Sequence, residues 1–132
     1  MRDLARMTRA ELAEFIRDGG GADYAELMRE ADRLRRLSYD NEVYTRGLIE
    51  FTNFCKNDCL YCGIRRSNPY AERYRLTQRQ ILECCSLGWE LGYRTFVLQG
   101  GEDPYFTDER IERIVYSIRS THPDCAVTLS IG

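Results

Sequence analysis

Between residues 47 and 131, apolar runs of strand length alternate with amphipathic runs of helix length. That alternation constrains the fold more than any other feature of the chain. Gly47-Leu-Ile-Glu-Phe-Thr52, Thr95-Phe-Val-Leu-Gln99 and Cys125-Ala-Val-Thr-Leu-Ser-Ile131 are short and rich in β-branched and aromatic residues, as strands are. Between the first two, Thr77-Gln-Arg-Gln80 has the form of a capping box. It opens a helix through about Leu91, with Ile81, Leu82, Cys85 and Trp89 on one side and Gly92 as its stop. Between the second and third strands, Thr107 caps a helix whose apolar face is Ile111, Ile114, Val115 and Ile118. Strand, helix, strand, helix, strand implies parallel strands joined by right-handed crossovers, with the two helices supplying the cover a parallel sheet needs.

The first forty residues carry a different pattern. Thr8 and Glu11 form a second capping box, followed by Leu12, Phe15 and Ile16 at helical spacing, and Gly19-Gly20-Gly21 ends that helix. A second helix is expected from about Asp23 to Leu37, with Tyr24, Leu27, Met28, Ala31 and Leu34 on its apolar side. Residues 1–41 therefore read as a helical extension and 42–132 as the α/β part. The expected fold class is α/β: an N-terminal helical extension followed by the first three βα-type strands of a TIM-like barrel. A complete (β/α)8 barrel takes about 250 residues, so 132 residues supply the front part only, and a truncated barrel is expected. An open, apolar third strand is an aggregation liability unless more chain covers it.

A formal charge of −2 gives no reason to expect nucleic acid as a partner. Arg33, Arg35, Arg36, Arg65 and Arg66 read as solvated faces. No apolar run is long enough to span a bilayer, and Met1-Arg-Asp-Leu-Ala-Arg-Met7 lacks the pattern of a signal peptide. A cytoplasmic location is expected. Six cysteines outside a secreted context point to a metal or cluster rather than to a disulfide framework.

Three of those cysteines stand together in Cys55-Lys-Asn-Asp-Cys59-Leu-Tyr-Cys62, a CxxxCxxC loop directly after the first strand. A 4Fe–4S cluster takes one cysteine per iron, so three leave one iron open to a small molecule. The competing reading is a non-catalytic zinc module, whose fourth ligand would come from Cys84, Cys85, His122 or Cys125. Those three cysteines read instead as small apolar packing residues, and His122 as a solvated residue at a helix C-terminus without a catalytic role. The spacing and its position resemble the signature of radical S-adenosylmethionine (SAM) enzymes, whose cluster would hold SAM at the open iron. On that reading Tyr61 is a candidate neighbour of the adenine, and Gly63 lets the backbone pass close to the cluster. Gln99, Gly100, Gly101 and Glu102, at the C-terminal end of the second strand, are candidate SAM contacts, because ligands of parallel α/β sheets bind at that end. Glu102 would face the SAM ammonium. Ser130, sharing a face with Thr128 and Gly132, is a further candidate.

The segments Ile49-Glu-Phe-Thr-Asn-Phe-Cys55, Cys62-Gly-Ile-Arg-Arg66, Arg73-Tyr-Arg-Leu-Thr77, Val97-Leu-Gln-Gly-Gly-Glu-Asp-Pro-Tyr105 and Thr128-Leu-Ser-Ile-Gly132 resemble the HydE-type FeFe-hydrogenase maturases. These are radical SAM proteins related to biotin synthase and methylornithine synthase. The resemblance implies a 4Fe–4S cluster on Cys55, Cys59 and Cys62, SAM along Gln99–Glu102, and a role in building the hydrogenase di-iron subcluster. It also implies a small-molecule or organometallic substrate, and other hydrogenase maturation proteins as partners. Biotin synthase and methylornithine synthase are the alternative enzymes.

Overall fold

The computed structural model describes residues 6–18 and 21–132. The chain divides into a unit ending at Val43 and a unit Tyr44–Gly132.

In the first unit, α1 spans Arg9–Arg17. Its capping box forms as expected: the Glu11 N–H donates to Thr8 Oγ1 at 3.3 Å, and the Thr8 N–H donates to Glu11 Oε2 at 2.8 Å. α2 spans Gly21–Tyr39, two residues longer at each end than the periodicity predicts. Gly21 opens this helix instead of ending the previous one. A first-turn N–H has no intrahelical acceptor, so glycine costs little there. Gly19 and Gly20 lie outside the described residues. Asp40 follows α2 with φ 48°, the left-handed geometry that ends many helices. Arg33 pairs with Glu30 and Arg36 with Asp32, both at 2.7 Å on an exposed face, as the charge pattern predicts.

The second unit runs β1 (Gly47–Thr52), α3 (Gln78–Glu90), β2 (Thr95–Gly100), α4 (Asp108–Thr121) and β3 (Ala126–Ser130). The sheet order is β1-β2-β3, all parallel. Ile49 and Phe51 of β1 and Phe96 and Leu98 of β2 are buried against Ile81 and Cys85 of α3 and Ile111, Ile114 and Ile118 of α4. Both crossover helices therefore cover the same face of the sheet. The opposite face carries Leu48, Glu50, Val97, Gln99, Thr128 and Ser130, and neither α3 nor α4 covers it. That one-sided arrangement is what a barrel requires, since its other face turns inward. Among the described residues, no helix is long and apolar enough to cross a membrane.

Several local expectations change. β3 begins at Ala126, because the Cys125 N–H closes a turn onto the His122 carbonyl. Thr107 occupies the N-cap of α4 without a side-chain capping bond. His122 is buried rather than solvated: its ring stacks on Trp89 at 5.4 Å, and its Nε2 lies 3.2 Å from Ser86 Oγ. Cys85 and Cys125 pack in the core as expected, whereas Cys84 is exposed.

Candidate functional site

The loop leaving β1 at Thr52, the strap formed by residues 73–76, and the turn Gly100–Tyr105 leaving β2 converge at the C-terminal edge of the sheet. The strap pairs antiparallel with the end of β1 through Thr52 and Arg75, and the Leu76 N–H donates to the Phe51 carbonyl at 2.7 Å. Arg73 and Arg75, two residues apart on this segment, take different partners: main-chain carbonyls for Arg73 and the Asp103 carboxylate for Arg75.

Arg73 closes the neck of the cysteine loop. Its guanidinium donates to the carbonyl of Asn53 at 2.5 Å, before the first cysteine. It also donates to the carbonyls of Ile64 at 2.9 Å and Arg65 at 2.6 Å, after the last. Inside the neck the main chain folds on itself. The Cys62 N–H donates to the Cys59 carbonyl at 2.9 Å, and the Arg66 N–H to the Asn57 carbonyl at 2.9 Å. The Ser67 N–H donates to Asp58 Oδ1 at 2.9 Å, which holds the Asp58 carboxyl below its ordinary range.

Cys55 and Cys62 are half-buried, Cys59 is exposed, and all three thiols are free. Among the described residues, no three His, Cys, Asp or Glu side chains are gathered as a preformed metal site. Main-chain hydrogen bonds and Arg73 pin the backbone of the loop that carries the thiols. The donor set fits a cluster with one open iron: three sulfur ligands on one pinned loop. It does not fit closed zinc, because Cys125 and His122 sit beside the N-terminal start of β3, at the far end of the sheet, Cys84 lies near the N-terminal start of β1, and Cys85 is in the core.

The turn after β2 is pressed directly onto this loop. A Cβ on Gly101 would collide with the Phe54 carbonyl oxygen and come within 2.7 Å of the Cys55 Cβ. The Lys56 N–H donates to the Glu102 carbonyl at 2.9 Å. The Glu102 carboxylate is held by the cysteine loop as well, with Asn57 Nδ2 at 2.5 Å from Oε1 and Lys56 Nζ at 3.0 Å from Oε2. The Lys56 hydrogen bond, its charge and the Asn57 contact outweigh desolvation, so Glu102 titrates below the usual carboxylate range.

Beneath the turn lies Asp103, its side chain almost wholly buried. Arg75 meets it with Nε at 2.6 Å and Nη2 at 2.9 Å, the Thr52 hydroxyl donates at 2.7 Å, and the Tyr105 N–H donates at 3.1 Å. Burial pushes this carboxyl up, but the Arg75, Thr52 and Tyr105 contacts overcome it and leave the group ionised below its ordinary value. The Arg75 guanidinium also lies 3.8 Å from the Phe54 ring centroid, so the ion pair packs against the start of the cysteine loop.

Of the sequence-derived candidates, the structure brings Cys55 and Gly100–Glu102 together, and pairs Gln99 with Ser130 in register on the face opposite α3 and α4. Tyr61 is not brought to the turn; it is 93% exposed on the outside of the loop. Gly63 meets no protein atom within 4 Å and takes no left-handed φ. The close main-chain approach within the protein is made by Gly101, against Phe54 and Cys55. Arg73, Arg75, Asp103 and Asn57 received no role from the sequence. Their available signal was the polar run after each strand, which names donors and acceptors but not their pairing.

A profile for the Radical SAM superfamily matches residues 49–131, well over half of the chain. The [FeFe] hydrogenase maturase subunit HydE of Thermotoga maritima is 42% identical over 125 residues, which is 95% of this chain and 35% of that protein. The 3-methylornithine synthase of Methanosarcina acetivorans is 34% identical over 79 residues, 60% of this chain and 22% of that protein. The crystal structure of methylornithine synthase (PylB) superposes with a TM-score of 0.64 at 28% identity, covering 81% of this chain and 31% of that one. The chain thus spans about a third or less of the length of these relatives.

Proposed function

We propose that this chain, which belongs to the radical SAM superfamily, carries the cluster- and SAM-binding part of a hydrogenase-maturation enzyme. Cys55, Cys59 and Cys62 would hold a 4Fe–4S cluster, and Gly100–Glu102 with Gln99 and Ser130 would line the SAM site. When bound, a reduced 4Fe–4S cluster supplies the low-potential electron that cleaves SAM to methionine and a 5′-deoxyadenosyl radical.

The observation that carries the reading is the contact of Gly101 with Phe54 and Cys55. It sets a strand-end turn that bears an ionised Glu102 against the loop carrying the three thiols. Each residue then has a task of its own. Arg73 closes the thiol loop, Asp103 and Arg75 brace the turn from below, and Glu102 offers a carboxylate to a ligand ammonium. Tyr61, free at the rim, is available to cover an adenine once a ligand is present.

The choice of a maturase rests on the 42% identity with the HydE subunit across 95% of this chain. The proposed substrate is a small molecule or organometallic precursor of the hydrogenase active site, with other maturation proteins as partners. The six free thiols suit a reducing compartment, and the cytoplasm is the proposed location.

Anaerobic reconstitution with iron and sulfide tests the reading. The expected product is brown and, on reduction, gives a 4Fe–4S electron paramagnetic resonance signal that SAM perturbs. A colourless protein, or a signal indifferent to SAM, rejects it.

A further inference from the structure

The Arg73 contacts reach beyond the binding reading, on which this inference rests only for its second measurement. One guanidinium spans both ends of the cysteine loop, taking a carbonyl from Asn53 on the entering side and from Ile64 and Arg65 on the leaving side. Its acceptors are neutral carbonyls, so its full positive charge is left at the neck of a loop that presents three thiols. An ammonium has no planar fork with which to meet carbonyls on two strands of chain at once.

We propose that Arg73 is a positioning residue of the cluster loop. It holds the neck closed before any cluster is present and supplies a fixed cation that favours electron uptake by a cluster held there. The first half follows from the three hydrogen bonds. The second follows from charge: reduction adds a negative charge to whatever the loop holds, and a nearby cation stabilises the reduced form.

The two halves separate in the full chain through R73M and R73K. Hydrogen exchange of the cluster-free protein, followed over residues 55–66, reads the closure. R73M and R73K should each raise it by about tenfold, the scale of one lost charge-assisted hydrogen bond. The midpoint potential of the reconstituted cluster reads the cation: it should become more negative in R73M and stay near wild type in R73K. Circular dichroism establishes whether R73M is folded; if it is not, R73K exchange alone decides. A folded R73M protein with wild-type exchange or a wild-type potential overturns the proposal, as does wild-type exchange in R73K. Failure of the wild-type chain to take up a cluster rejects the proposed function instead and leaves the exchange measurement to decide the loop closure.

Discussion

Arg75 and Asp103 form a two-point ion pair across 28 residues of sequence, joining the strap after the cysteine loop to the turn after β2. The acid is buried and the arginine half-exposed, with side-chain accessibilities of 1% and 35%. The pair ties two connections that would otherwise be independent excursions from the sheet. Its partners Thr52 and Tyr105 bring the end of β1 and the far end of the turn into the same network.

Removing the acid leaves Arg75, the Thr52 hydroxyl and the Tyr105 N–H without their acceptor. D103A should therefore lower stability by about 2–3 kcal/mol, less than the ~3–5 of a fully enclosed pair because Arg75 retains solvent. Urea denaturation of the two proteins measures the difference. A shift within the range of ordinary surface substitutions would contradict the network.

The same group predicts the direction of acid sensitivity. Asp103 is depressed in the folded state, so its contribution is complete above the unfolded carboxyl value, about 3.9. It is lost as pH falls from there through the lower native value. Urea midpoints should be nearly flat from about pH 5 to 6 and decline below about pH 4. D103N should show a shallower decline, and an equal slope in both proteins would show that Asp103 is not among the groups responsible.

Glycine positions give a paired test. G101A places a methyl group on the Phe54 carbonyl and against the Cys55 Cβ, and should cost about 1–3 kcal/mol as overpacking does. It should also impair cluster uptake. G63A meets open space and should change stability by less than about 0.5 kcal/mol. Thermal melts and iron content after reconstitution check both, and equal behaviour of the two variants would contradict the described contact.

Lys56 occupies the Glu102 carboxylate that a ligand ammonium would need. K56M should therefore tighten SAM binding, by up to about fivefold, given the small worth of an exposed ion pair. E102Q should abolish binding while sparing the cluster. Titration of the reconstituted proteins with SAM, followed by electron paramagnetic resonance, reads both, and weaker binding in K56M would argue against displacement.

Thiol accessibility separates the six cysteines. Burial raises Cys85 to about 12 and pushes Cys125 up as well. The thiolate is the reactive form, so native cluster-free protein at pH 8 should alkylate at Cys55, Cys59, Cys62 and Cys84 and resist at the other two. Mass spectrometry of the digest shows which sites react.

The parallel sheet and the helices over it were legible because each depends on local periodicity. Ile111, Ile114 and Ile118 share a helix face at any tertiary arrangement, and the Thr77–Gln80 box is complete within four residues. The site was legible as a pair of motifs, Cys55–Cys62 and Gln99–Glu102, but not as a joined structure. Arg73, Arg75 and Asp103 look like surface charges until their partners, most of them eight to fifty-one residues away, are known. His122 misled for the same reason: its burial depends on Trp89 and Ser86 of another helix.

Glycine 101 has one further implication. Where two stretches of main chain touch with no side chain of the glycine between them, their separation is set by van der Waals contact of the backbones instead of by the choice of side chains. The thiol-bearing loop and the strand-end turn are therefore calibrated to each other in a way that substitutions around them leave intact. Repacking of the sheet below would carry both along together, and a ligand gripped between them would experience a gauge of constant width.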